Sequence, residues 1–411
     1  MKKLLVIGFV WPEPKSSAAG RRILQLIAQF QNQGYDVVFS SAAKTSQNTF
    51  DLNTINVETK PILLNDSGFD VFVKALNPNV VLFDRFMTEE QYGWRVSEQC
   101  PNAFRILDTE DFHGLRKARE VALKQNESVT IAHLQNDTTK REIASIYRCD
   151  LSLMISEVEI DILTHQFKID KSLLFYLPFS LEPTPEDDIK QLPSFEARQH
   201  FITIGNFLHA PNYDAVLYLK QTIWPLIRKQ LPKAELHVYG SYPSEKVTQL
   251  HNKQERFLVK GWVDDVHEVM QNSRICLAPV RFGAGIKGKF TDAMQNGLPS
   301  VTTSIGVEGM THNLAWNGVI EDSPEVLAEH AVELYQNKNK WLTAQNNGKE
   351  LINKIYSSIE FENAFVEKLK SLSQDVQSHR SSNFIGAMLQ HHSLKSTMYL
   401  SKWISEKEKN K

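Results

Sequence analysis

Apolar residues fall along the chain in short runs, separated by segments whose apolar positions recur every three to four residues. A run at 4–10 is followed by a polar loop and Gly20, then by Ile23, Leu24, Leu26, Ile27 and Phe30 at helical spacing, then by Gly34 and the apolar Val37, Val38 and Phe39. That order reads as strand, loop, helix, strand, because a strand covered on both faces is apolar throughout whereas the helix covering it needs only one stripe. Further strands are expected at 80–83, 104–107 and 151–155, each preceded by a segment able to form a helix. The alternation specifies a parallel sheet with helices on both faces.

Between Pro178 and Pro193 the pattern lapses into SLEPTPEDDIKQLP, rich in proline and acid and without periodicity, and then it restarts. Strands are expected at 201–204, 235–239, 257–259, 275–280 and 300–303, with helices through Trp224 to Leu231, from Asp264, and after Gly288. Residues 183–197 therefore read as a linker between a domain at 1–182 and a second at 198–375. A chain of 411 residues is too long for one hydrophobic core, which agrees with two doubly wound α/β domains. From Pro324 the pattern is helical to about Leu372. In the terminal segment, 376–411, Phe384, Met388, Leu389, Tyr399, Trp403 and Ile404 share a helical face, expected to pack back against the N-terminal domain.

Charge narrows the partners. The formal net charge is −2, with acids and bases interspersed, so nothing electrostatic points to nucleic acid, while a small phosphate-bearing ligand needs only local positive charge. Cys100, Cys149 and Cys276 lie far apart, which indicates neither a disulfide framework nor a zinc site and fits a reducing cytoplasm. The opening LLVIGFVW and the later SSAAG imitate a signal peptide and its cleavage site, but Pro12, Glu13, Pro14 and Lys15 intervene, and the run reads as a strand. No apolar stretch approaches the roughly 20 residues of a membrane span, so any membrane contact is peripheral, at the inner face.

The chemistry concentrates after the strand at 275–280. There the chain runs through Arg281, Phe282, Gly283, Ala284, Gly285, Ile286, Lys287, Gly288 and Lys289 into a helix. A glycine-rich turn between strand and helix lets backbone N–H groups approach a phosphate, and the helix start adds unpaired amides at its positive end. Arg281, Lys287 and Lys289 supply formal charge beside it, enough to hold a diphosphate without a metal. Surface cations on a tight turn are the plainer alternative. Gly283, Gly285 and Gly288 also spell G-x-G-x-x-G with Glu308 about 20 residues on, the dinucleotide pattern, although that pattern normally opens its domain rather than falling near the end.

The segment RFGAGIKGKFTDAMQNGLPSVTTSIGVEGM resembles the donor site of glycosyltransferase family 4, of the GT-B fold. FITIGNFLHAPNYDA, LHVYGS, VKGWVDDVHEVM and DLSLMISEVEIDIL extend the resemblance more weakly over most of the chain. It implies two Rossmann-like domains facing a cleft, with a C-terminal helix crossing back to the first. It also implies a retaining transfer from a nucleoside-diphosphate sugar to a glycan or lipid-linked acceptor, with no cofactor and no metal. Asp-x-Asp, which holds a metal and a diphosphate in the other major glycosyltransferase fold, occurs nowhere in the chain. Asp292 stands where the family places the second glutamate of E-x7-E, a ribose acceptor, while the position of the first holds Ala284. The loop after the first strand of the second domain carries Asn206, His209 and Asn212 in place of the family's Arg and Lys. These three are donor hydrogen-bonding candidates, with turn and cap chemistry as the alternative for His209 and Asn212.

His113, in DTEDFHGLR after a strand end, resembles the family's cleft histidine and is, with Lys289, the catalytic candidate. Glu308 reads as an acceptor toward the sugar or base. Gly20 and Arg21, beside Ser16, Ser17 and Arg22, read as facing the cleft or the acceptor. Glu157, Glu159 and Asp161 read as a solvated helix start. Three rival readings remain: a sugar-nucleotide epimerase of the same fold, a nicotinamide-linked oxidoreductase, and a non-catalytic GT-B subunit.

Overall fold

The computed structural model describes residues 2–185, 191–357 and 359–409, with the side chains of 392–395 excepted; part of the expected linker, 186–190, lies outside the described residues. Two parallel sheets carry the chain. The first is built from β1 (Lys2–Gly8), β2 (Tyr35–Ser41), β3 (Glu58–Pro61), β4 (Val80–Asp84), β5 (Phe104–Asp108), β6 (Leu151–Met154) and β7 (Leu174–Tyr176), in the order β3-β2-β1-β4-β5-β6-β7. The second contains β8 (Gln199–Ile204), β9 (Leu236–Tyr239), β10 (Phe257–Gly261), β11 (Ser273–Ala278), β12 (Ser300–Thr302) and β13 (Gly318–Ile320), in the order β10-β9-β8-β11-β12-β13. In each sheet the order reverses beside the first strand, which opens a crevice at the carboxyl ends between β1 and β4 and between β8 and β11.

The helices of the first lobe are α1 (Ala18–Asn32), α2 (Gly68–Leu76), α3 (Phe86–Gln99), α4 (His113–Gln125), α5 (Asp137–Arg148) and α6 (Glu157–His165). In the second, α7 (Ala210–Tyr218), α8 (Trp224–Gln230), α9 (Val266–Asn272), α10 (Gly288–Gln295), α11 (Pro324–Gln336) and α12 (Lys338–Leu351) follow. Strand periodicity divides each core in two. In β1, Leu4 and Val6 join one apolar cluster while Leu5 and Ile7 join the other; in β11, Ile275 and Leu277 face away from Cys276 and Ala278. All three cysteines are buried within these layers. The GT-B expectation thus holds in its two Rossmann-like sheets and in the helices that cover them.

The chain then returns to the first lobe through α13 (Ile359–Gln374), α14 (Val376–Ser382) and α15 (Phe384–Lys409). The return begins earlier than residue 376. Phe365 and Leu369 of α13 already lie in the core beside β1, with the Phe365 ring 5.7 Å from that of Phe30, because α1 leaves an apolar groove that these residues fill. The terminal helix corrects a second expectation. It does pack on α3 and α5, but Phe384, Met388, Tyr399 and Trp403 are exposed, and the opposite, small and polar side makes the contact.

Candidate functional site

The two lobes meet at the glycine-rich turn between β11 and α10, which reaches into the first lobe. Gly285 takes φ +62°, and a Cβ there would lie 2.8 Å from that of Asp111 and 3.0 Å from Ile155 Cδ1. Only glycine combines that backbone with that approach. Its N–H donates to Glu159 Oε1 at 2.6 Å, and the same oxygen accepts from the Phe112 N–H at 3.0 Å. Ala284, at the position of the family's first glutamate, sits in the first lobe's core cluster with Phe112 and Leu115. Gly288 opens α10 against α1, where a Cβ would meet that of Ala18 at 2.7 Å.

Charged pairs reinforce this seam. Arg21 of α1 grips both Asp292 oxygens, at 2.5 and 2.9 Å. Arg119 of α4 grips both Glu308 oxygens, at 2.9 and 2.6 Å, and donates to the Gly283 carbonyl at 2.8 Å. Tyr242 donates to the carboxylate of Glu13. Forked contacts of this kind contribute on the order of 1–3 kcal/mol each when partly shielded. Asp292 and Glu308, expected to receive ribose, sugar or base, are therefore both occupied by arginines of the other lobe. Gly20, on the same helix as Arg21, serves packing instead: a Cβ there would lie 2.5–2.7 Å from the Glu13 backbone, so the glycine lets the 9–17 loop lie on α1.

The cations of the turn divide. Arg281 is forked onto Asp214 at 2.9 and 2.6 Å and lies over the Tyr218 ring, so a phosphate would have to compete for it. Lys287 donates to the Gly285 carbonyl at 2.8 Å; burial outweighs the nearby Glu308 and brings its pKa down to about 8. Lys289, one residue inside α10, donates to a single neutral partner among the described residues, Asn212 Oδ1 at 2.8 Å. Burial lowers its pKa to about 8 as well, because removing water penalises the ammonium and no carboxylate compensates. Asn206 and Asn212 make turn contacts: Asn206 Oδ1 accepts from the Leu208 N–H, and its carbonyl accepts from Asn212 Nδ2, the alternative expected for Asn212.

Facing Lys289 and His209 across the seam are the first residues of α4. His113 Nδ1 lies 2.9 Å from the Asp111 carbonyl, 3.1 Å from Asp111 Oδ1 and 3.3 Å from Glu142 Oε1. Burial works against a charge on this ring, but Asp111 and Glu142 together raise its pKa above the usual histidine value. Asp111 is desolvated yet held down at about 2 by Arg116, its ion-pair partner, and by His113 and His209. His209, at the N-terminus of α7, shifts the other way: enclosure of its ring and the charge of Arg116 depress its pKa. Two of the turn's cations and both histidines are thus brought together, while Arg281 is held within its own lobe.

Sequence reasoning missed Arg119 and misassigned Glu159. Arg119 was legible as the third residue of a His113, Arg116, Arg119 ladder at helical spacing. Glu159 is no solvated helix start: its side chain is fully buried, unlike those of Glu157 and Asp161, which are mostly exposed. Its burial raises its pKa to about 8, with Asp111 adding to the effect, against the pull of the two amide donors. At the ends of β4 and β5, Arg85 and Glu110 both adopt left-handed backbone, φ 70° and 64°. Burial and the neighbouring Asp108 push the Glu110 carboxyl well up, against the pull of Arg85.

Residues 198–337 match the family described as glycosyl transferases group 1. A protein of Klebsiella pneumoniae, described as an uncharacterized 44.6 kDa protein in the cps region, is 25% identical over 162 residues, a match that spans 38% of this chain and 42% of that protein. Sucrose-phosphate synthase from Thermosynechococcus elongatus superposes with a TM-score of 0.67 at 14% identity, covering 90% of this chain and 99% of that one. HepE of Anabaena, solved with UDP and glucose, superposes with a TM-score of 0.66 at 12% identity, covering 90% of this chain and 100% of that one. At such identities the likeness establishes the fold, which is GT-B.

Proposed function

We propose that this protein is a retaining, metal-independent glycosyltransferase of family 4 that moves a sugar from a nucleoside diphosphate to a glycan or lipid-linked acceptor, in the cytoplasm and at the membrane periphery. Lys289 carries the reading: an ammonium at a helix N-terminus, largely desolvated, held by one neutral amide, and near His209, which links it to Arg116 and His113 of α4. An anion bound there would gain a charge-assisted bond and the α10 amides at once. The family match over the second lobe and the complex of the Anabaena neighbour with UDP and glucose support a donor of this class.

In the reaction, the bond from the anomeric carbon to the diphosphate oxygen breaks with its electron pair going to the diphosphate. Lys289 stabilises that growing charge more in the transition state than in the ground state. The acceptor oxygen bonds to the same face of the carbon, and its proton passes to a diphosphate oxygen. His113, fixed through Nδ1 by Asp111 and Glu142, positions the reactants with its other ring nitrogen. Asp292 accepts one bond from Arg21 at each oxygen and keeps further lone pairs for a ribose hydroxyl, so Arg21 can share it with the donor or release it. The second reading, a non-catalytic GT-B subunit, is favoured by Ala284, whose side chain is committed to the first lobe's core.

Thermal unfolding with a panel of UDP-, GDP-, ADP- and dTDP-sugars separates the two. A ligand that binds only the folded protein raises its melting temperature, and Lys289→Ala should reduce that rise. No stabilisation by any member of the panel would leave the non-catalytic reading.

A further inference from the structure

The terminal helix α15 is docked by its less apolar side. Asn383 Nδ2, just before it, donates to the Tyr147 carbonyl at 2.8 Å, Gln390 Nε2 donates to that of Arg148 at 3.0 Å, and Ser401 Oγ accepts from Arg95 at 3.1 Å. Gly386 lies so near the Tyr147 carbonyl that a Cβ would stand 2.1 Å from it. At 100° per residue these contacts fall on one side of the helix. Phe384, Ile385, Met388, Tyr399, Leu400 and Trp403 occupy an arc of about 160° on the other. All six are exposed, by 44 to 76%.

Exposed apolar residues of the first lobe stand next in sequence to the residues on which the C-terminal part of α15 docks. Ser405 Oγ donates to the Asn65 carbonyl, and Asp70 is paired with the same Arg95 that reaches Ser401. Leu63, Leu64 and Val71, adjacent to those residues, are exposed by 67, 49 and 73%. Single exposed apolar residues are ordinary, but a run of this breadth marks a docking surface.

Three observations select the occupant. A partner helix covers a seam of about two positions in seven, far narrower than this arc, whereas a bilayer surface accepts its whole width. From Phe384 to Ser405 the sequence contains no Asp or Glu; Glu406 and Glu408 follow, with Glu406 paired to Lys409. The exposed Lys402 and Lys407 flank the arc on opposite edges, and the Lys407 ammonium lies 4.9 Å from the centre of the Trp403 ring. Tyr and Trp at headgroup depth, with lysines reaching past them to lipid phosphate, is the chemistry of a helix lying in the interface. No helix of the described residues is long and apolar enough to cross a membrane, so the helix lies along the surface.

We propose that α15, with Leu63, Leu64 and Val71, is a binding face for the surface of an anionic lipid bilayer. It names the surface for the membrane contact proposed above and rests on that reading for the contact alone, since vesicle binding and donor binding can fail separately.

The full chain is sedimented with vesicles of phosphatidylcholine, alone or mixed with phosphatidylglycerol. The native protein should pellet with the mixed vesicles. The combined variant Tyr399→Ser, Leu400→Ser, Trp403→Ser should lose at least about tenfold of that binding, given the apolar area removed. Its melting temperature and nucleotide-sugar stabilisation should stay native, because these side chains touch solvent. Lys402→Glu with Lys407→Glu should weaken binding to the mixed vesicles most. Native protein that stays in the supernatant with both vesicles would overturn the proposal, as would equal binding by the triple variant. A native dimer in light scattering that becomes monomeric in the triple variant, without vesicle binding, would assign the face to a second copy and overturn it too.

Discussion

Replacing Lys289 by methionine separates what this side chain contributes to folding from what it contributes to binding. Methionine keeps most of the stem and removes the charge. Burial holds the ammonium at a pKa of about 8, against 10.5 unperturbed, a difference of about 2.5 units or about 3 kcal/mol at 1.36 kcal/mol per unit. The side chain keeps part of its surface in water and donates to Asn212, so the folding gain in the variant at neutral pH is smaller, about 1 kcal/mol. The sign follows from proton binding. Between about pH 8 and 10.5 the unfolded chain holds a proton that the folded one has lost, so native stability rises with pH there, and methionine removes that share of the rise.

Donor binding moves the other way. Losing one charge-assisted bond, about 1.5–3 kcal/mol, weakens the nucleotide sugar by about 10- to 150-fold. The anion binds the protonated amine, so native affinity should fall by up to about tenfold per pH unit above 8. The variant's profile should be flatter, with a residual slope from Lys287, whose pKa is also about 8. Calorimetric titration with the sugar nucleotide that stabilises the native protein, from pH 6.5 upward, measures both effects. Equal affinity in the two proteins, or identical pH profiles, would refute the argument that this amine meets the diphosphate.

Three other substitutions test the seam and the chemistry. His113→Ala should leave donor affinity within about twofold and lower the transfer rate by about 100-fold or more, as steady-state assays with varied donor would read. Glu159 takes up a proton on folding: its contribution to stability is complete below about pH 4.5 and is lost as pH rises through about 8, so the native protein should lose up to about 1.4 kcal/mol per unit across that window. Glu159→Gln, which can still accept from the Phe112 and Gly285 amides, should flatten that fall in urea titrations; an unchanged slope would place the proton elsewhere. Gly285→Ala must take φ +62° and push against Asp111, and should cost about 2–4 kcal/mol in the same titrations, whereas a neutral effect would mean that the lobes do not meet there.

The core of both sheets was legible because buried parallel strands are apolar without interruption, as in 80–83 and 275–280. The strands that escaped are β3, β7 and β13, all at sheet edges. Glu58, Thr59, Lys60 and Pro61 of β3 carry the polar, proline-bearing pattern that keeps an edge from pairing further, while β7 and β13 are apolar but only three residues long, too short for a period to show. At the site, the turn's glycines and cations were visible as a local motif. Their partners were not, since Glu159 meets Gly285 across 126 positions of sequence, and a carboxylate near a helix start is ordinarily solvated. For α15, periodicity defined the apolar arc but not its direction; Gly386 on the opposite side was the available sign of close docking.

The three shielded thiols turn the molecule into its own reporter of breathing. Cys100 and Cys149 belong to the first lobe, Cys276 to β11 of the second, and burial raises the pKa of each, so none reacts while its layer stays shut. Alkylation followed peptide by peptide would time the exposure of each half independently, without any label being engineered in.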